Sequence, residues 1–94
     1  MSFVQKEPLV GEFEVVGARL NQARMTANLA LQDIADRTKI SLRFLAAIEN
    51  DDFSALPGRV YIFGFARAFA RAVGLDEDSL IAALREKMQL AGID

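Results

Sequence analysis

The sequence contains no cysteine and no histidine. Without cysteine there is neither a disulfide framework nor a thiolate metal site, and the expected compartment is a reducing one, the cytoplasm by default. Without histidine the commonest general base is gone, and with cysteine absent so is the most reactive nucleophile. No glycine-rich phosphate loop occurs, and no hydroxyl has an evident base beside it. The chain is therefore expected not to be an enzyme, and no metal or cofactor is expected. Asp51 and Asp52 are adjacent, but without further oxygen ligands at set spacing they read as loop residues. The opening MSFVQKEPLVGEFEVV mixes charges with short apolar pieces and lacks the basic-then-apolar order of a secretory signal. No apolar run approaches the ~20 residues that span a bilayer, so a membrane anchor is expected only from sequence beyond Asp94. Internal repeats, low-complexity tracts and alternating stretches long enough for a strand are also missing.

What is present fits one small domain, since 94 residues bury a single apolar core. Hydrophobic residues make up 52% of the chain, more than such a core needs, so some of them are expected to face a partner. The net charge of −2 conceals a division along the chain. Residues 17–73 carry eight Arg/Lys against five Asp/Glu, a balance of +3, while the remainder carries three against eight, or −5. A centre at +3 is mildly basic and falls short of the footprint that phosphate-driven binding usually shows. DNA is weakened as a partner without being removed.

Breakers and caps divide the chain into an arm and five helices. Residues 1–14 form an acidic arm expected to be flexible, and residues 15–92 form the domain. A first helix over Val15–Ala27 sets Val16, Leu20, Ala23 and Ala27 on one stripe, with Arg19, Asn21, Gln22 and Arg24 facing away. Asn28 suits the left-handed residue that ends it. A second helix over Ala30–Thr38 turns Leu31, Ile34 and Ala35 inward, and Lys39 and Ile40 make the turn. Ser41 is the expected N-cap of a third helix reaching Asn50, with Leu45 and Ile48 inward. Phe53 and Leu56 pin the following loop to the core. A longer helix runs from Gly58 to Val73 and stops at Gly74. Asp76 caps a fifth helix over 76–91 with Leu80, Ile81, Leu84 and Met88 on its stripe, and Gly92 marks its end. Two short helices across a tight turn at about 30–50, closed over by flanking helices, predict an all-α, five-helix, lambda-repressor-like helix-turn-helix domain. A generic helical bundle has the same periodicity.

The third helix is poorly equipped to read DNA. Its outward set is Leu42, Arg43, Ala46, Ala47, Glu49 and Asn50, with Phe44 at the boundary. Of these, Arg43 and Asn50 have a base-reading pattern, each worth about 1–3 kcal/mol of discrimination. Asp51 and Asp52 at the helix end would repel phosphates. Arg19, Gln32, Lys39 and Arg43 remain candidates for phosphate contacts around the turn, against the plainer reading of a solvated helical surface.

The fourth helix carries Tyr61, Phe63, Phe65 and Phe69, four of eight aromatic residues within nine positions. On a helical wheel Ile62, Phe65, Ala66, Phe69 and Val73 span the core arc, and Tyr61, Ala68 and Ala72 border it. Phe63 falls outside it, near Arg59, Arg67 and Ala70. It is either one exposed aromatic or part of an interface, where aromatic and Arg side chains concentrate.

Three stretches carry a family resemblance: VGARLNQAR, LALQDIADRTKIS and above all AIENDDFSALPGRVYIFGFARAFARAVGLD, together spanning roughly residues 16–76. They resemble the N-terminal cytoplasmic domain of the RodZ family of bacterial cell-shape proteins. The resemblance implies a degenerate helix-turn-helix that binds the actin-like protein MreB, tied to a transmembrane helix at the cytoplasmic face of the inner membrane. It carries the partner surface onto Tyr61 and Phe65, which requires Phe65 to be partly exposed, with Phe63, Arg59 and Arg67 as neighbours. The isolated domain is expected to be monomeric. Two positions depart from the pattern: Ala30 stands where relatives often have a capping serine, and Phe63 where they often have arginine. The alternative partner, DNA, would be met by Arg19, Gln32, Lys39, Arg43 and Asn50.

Overall fold

A computed structural model describes residues 15–91, so the arm at 1–14 and the expected stop at Gly92 lie outside the described residues. Five helices follow in order: α1 (Val15–Thr26), α2 (Leu31–Thr38), α3 (Leu42–Glu49), α4 (Arg59–Val73) and α5 (Glu77–Ala91), with one 3-10 turn at Phe53–Ala55 between α3 and α4. No strand occurs among the described residues.

The helices stop where the sequence allows a left-handed residue. Asn28 (φ 61°), Asp51 (φ 57°) and Gly74 (φ 81°) each follow a helix. At each, two backbone N–H groups fold back onto the last turn: Asn28 and Leu29 onto Met25 and Arg24, Asp51 and Asp52 onto Ile48 and Ala47, Gly74 and Leu75 onto Arg71 and Ala70. This is the Schellman arrangement, which satisfies carbonyls the helix end would leave bare. Lys39 (φ 63°) ends α2 with a 2.8 Å bond from its N–H to the Ala35 carbonyl. Thr38 steadies that turn, donating to the Ile34 carbonyl at 2.7 Å and accepting from the Ile40 N–H at 3.2 Å.

The starts are less uniform. Asp76 caps α5 as expected, its carboxylate accepting from the Ser79 N–H at 2.9 Å. Ala30 has no side-chain acceptor, yet the Asp33 carboxylate reaches back to the Ala30 N–H at 2.8 Å and supplies half of a capping box. Ser41 does not cap α3 with its hydroxyl. It sits exposed, and the first turn closes on its carbonyl, which accepts from the Phe44 and Leu45 N–H groups.

Phe69, Leu20, Ile34, Leu45, Ile48, Leu80, Leu84, Met88 and Val16 are fully buried, so every helix contributes to one core. Burying a side chain of this size stabilises by about 1.5–3 kcal/mol. Phe53 and Leu56 are buried and pin the loop, and the whole α5 stripe is inside. Several expected facings change. Ala27 is exposed and Ala23 only half-buried, whereas Ala47 and Ala70, expected outward, are buried. Arg24 and Glu49 turn toward each other, leaving side-chain exposures of 14% and 10%. The cause is the close approach of α1 and α3: a β-carbon on Gly17 would overlap the Glu49 carbonyl oxygen, so the two backbones nearly touch.

Candidate interaction surfaces

α4 is buried along Ile62, Ala66, Phe69 and Ala70, and its aromatic side chains emerge on the two flanks of that strip. On the flank toward α3, the half-buried Phe65 ring stacks on Phe44 of α3, with centroids 5.6 Å apart and planes 22° from parallel. Tyr61, one turn earlier, leans on Phe65 at 5.7 Å and remains 53% exposed. The Arg43 guanidinium lies 5.1 Å from the Phe44 centroid. Tyr61, Phe65, Phe44 and Arg43 thus form one continuous row from α4 to the first turn of α3. Each aromatic pair is worth about 0.5–1.5 kcal/mol beyond its burial, enough to hold the rings in place before any partner arrives.

Phe63 belongs to the other flank. Two residues after Tyr61, it points about 160° away round the helix, where the Arg59 and Arg85 guanidiniums lie 5.2 and 5.4 Å from its centroid. Arg67, also on that side, is within 3.7 Å of Glu77 and 3.8 Å of Asp78 at the start of α5. Arg71 holds Glu77 with two bonds of 2.7 and 2.9 Å. Those bonds, with the charge of Arg71 and a smaller effect of Arg67, hold the Glu77 carboxyl below the usual carboxylate range. The five candidates of α4 therefore divide: Tyr61 and Phe65 lie together, while Phe63, Arg59 and Arg67 face α5.

The side chains considered for DNA are also dispersed. Lys39 and Arg43 are exposed near the start of α3, where a reading helix meets base edges. Asn50 lies past the opposite end, its amide donating to the Ala46 carbonyl at 3.0 Å. The Gln32 amide donates to Asp36 at 3.0 Å, and Arg19 reaches Ser79 of α5 at 3.4 Å.

Two groups that sequence reasoning placed outward are structural. Glu49 accepts from Arg24 Nε at 2.6 Å, Arg24 Nη2 at 3.2 Å and Asn21 Nδ2 at 3.1 Å, while Arg24 Nη1 donates to the Leu29 carbonyl at 2.9 Å. The Glu49 bonds raise the Arg24 pKa above its ordinary value, so the guanidinium stays charged at any working pH. Asp51 accepts from the Gly17 N–H at 3.0 Å and lies 3.5 Å from Lys87 Nζ. Asn21, Glu49, Asp51 and Lys87 line an open cleft between α1, the end of α3 and α5, and each is engaged by a neighbouring group.

Phe44 is the residue that sequence reasoning missed. The available signal was its boundary position beside Arg43, in a helix whose exposed face is otherwise short or apolar. Among the described residues, no group of three or more acidic side chains is placed to hold a metal ion, and no helix is long and apolar enough to cross a membrane.

Residues 19–80 match the model of a helix-turn-helix domain family. The cytoskeleton protein RodZ of Streptococcus pneumoniae (strain ATCC BAA-255 / R6) is 36% identical over 70 residues, covering 74% of this chain and 25% of that protein. The membrane protein YmfM of Bacillus subtilis (strain 168) is 40% identical over 52 residues, covering 55% of this chain and 18% of that protein. The chain thus spans a quarter or less of the length of these relatives. No solved structure matches. A tight turn between α2 and α3, closed over by α1, α4 and α5, is the arrangement that this family match requires. The chain belongs to this helix-turn-helix domain family, as a RodZ-like member of it.

Proposed function

We propose that the domain is a protein-docking module of a RodZ-type, cytoskeleton-associated protein, and that it binds an MreB-like actin homologue through Tyr61, Phe65 and Phe44. The observation that carries this reading is the Phe44–Phe65 stack. It joins the reading helix to α4 in one aromatic surface and commits part of the face that a DNA-binding relative would turn to the groove. Tyr61 supplies an exposed, rigid ring with a hydroxyl at its tip, and Arg43 adds a cation at the far end of the row. Aromatic and Arg side chains of this kind dominate binding energy at protein interfaces. In the longer parent, residues 15–92 act as the docking unit at the cytoplasmic face of the inner membrane, with an anchor supplied elsewhere in the chain and residues 1–14 as an appended arm.

The DNA reading has less support. Lys39 and Arg43 are near the start of α3, but Asn50, Gln32 and Arg19 bond to other parts of the domain. Two cations give a shallow dependence of affinity on salt, about 0.9 log unit per phosphate neutralised.

Co-sedimentation with polymerised MreB tests the reading. Wild type is expected in the pellet, with Tyr61→Ala lowering affinity at least tenfold while the circular dichroism spectrum stays unchanged. A wild-type protein that remains in the supernatant, while binding duplex DNA with a steep salt dependence, contradicts it.

A further inference from the structure

The flank of α4 that faces away from Tyr61 carries a second cluster. Phe63 is half-buried against the core, and both Arg59 and Arg85 lie over its ring. Nearby cations are engaged elsewhere: Arg67 with Glu77 and Asp78, Arg71 with Glu77. Among the described residues, neither Arg59 nor Arg85 lies within ion-pair distance of a carboxylate. Both are exposed, and so is Val60, the residue after Arg59.

A guanidinium held over a ring by cation–π attraction keeps its fork of N–H donors available for a carboxylate. The contact also restrains the side chain, so less rotamer freedom is lost when those donors are used. Two such forks sit on one aromatic ring, with their carbons no more than about 11 Å apart. Each fork matches one carboxylate with two parallel N–H···O bonds, so two forks are met in full by two carboxylates. Two carboxylates four residues apart on a helix have Cβ atoms about 5–6 Å apart, and glutamate side chains spread far enough to meet both forks.

We propose that Arg59, Phe63 and Arg85 form a second protein-docking site that takes an acidic helical segment bearing two carboxylates one turn apart. It is distinct from the Tyr61 row and does not depend on the identity of the partner bound there. A partner peptide fits better than a lipid surface, because Glu77, Asp78 and Glu86 on α5 interrupt the positive charge with acidic side chains that a flat anionic membrane would also meet. A narrow segment reaches the two forks without covering those acids.

The probe is a fluorescein-labelled, alanine-based helical peptide with two Glu four residues apart, titrated with the 94-residue chain at low salt and compared with the same peptide carrying Gln at both positions. The Glu peptide is expected to bind at least tenfold more tightly than the Gln peptide. Arg59→Gln and Arg85→Gln are each expected to weaken it at least fivefold, Phe63→Leu to weaken it by loosening both forks, and Tyr61→Ala to leave it unchanged. Arginine Nε–H resonances of the labelled protein give a second readout and should shift at residues 59 and 85. Equal binding of the Glu and Gln peptides, or full affinity in both arginine variants, overturns the proposal. Loss of binding in Tyr61→Ala also overturns it, by merging the two surfaces. Preference for vesicles of phosphatidylcholine with one-third phosphatidylserine over the Glu peptide, lost in both arginine variants, overturns it in favour of a lipid site.

Discussion

Gly17 lies inside α1, a position where glycine ordinarily destabilises a helix by about 0.5–1 kcal/mol relative to alanine. Its place is set by the neighbouring backbone, since an added β-carbon meets the Glu49 carbonyl oxygen and carbon, neither of which yields as a flexible side chain would. Gly17→Ala is therefore expected to destabilise by about 1–3 kcal/mol, opposite in sign to the gain that helix propensity alone implies; urea denaturation measures it. Glu49→Ala leaves the half-buried Arg24 guanidinium without its carboxylate and should cost about 1–3 kcal/mol by the same measurement. Neither residue's role was legible in the sequence. A helical wheel treats one helix at a time, so it assigned Arg24 and Glu49 to solvent on chemistry alone and gave Gly17 no role. Their positions follow from how closely α1 and α3 approach, which is a property of the pair.

The elements themselves were largely legible, because each helix announces its core stripe by spacing and its ends by cap chemistry. Asn28 and Gly74 ended their helices as their residue types suggested, while Asp51 did so at a position read simply as loop. Starts depend on side-chain orientation as well as residue type, which is why Ser41 fails to cap α3 and Asp33 partly makes good the missing cap at Ala30. Ala30→Ser completes the reciprocal half of that capping box and is expected to raise stability by about 0.5–1 kcal/mol, read as a shift of the urea midpoint at constant slope. The junction of α4 and α5 has a pH signature. Because pairing with Arg71 lowers the Glu77 pKa in the folded state, its contribution is fully present above the ordinary carboxylate range and is lost as pH falls through the lowered folded value. Glu77→Gln should accordingly flatten the acid limb of the stability profile and leave its slope near neutrality unchanged.

At the scale of the whole molecule, composition pointed toward a binding domain with spare apolar side chains, and aromatic density pointed toward α4. What it left open was the division of that density. Tyr61, Phe63 and Phe65 are near neighbours in sequence, yet the core strip of Ile62, Ala66, Phe69 and Ala70 separates Phe63 from the other two. Phe44, far away in sequence, completes the row. A helix-turn-helix arranged this way keeps the scaffold of a DNA reader and turns an aromatic surface outward beside its reading helix. The most direct test is to map chemical-shift changes on the isotope-labelled domain as polymerisation-deficient MreB monomer is added. The largest changes are expected at Phe44, Tyr61 and Phe65, with Asn21, Gln32 and Asn50 unmoved. Saturable binding whose changes avoid all three aromatic residues, or no binding at all, would contradict it.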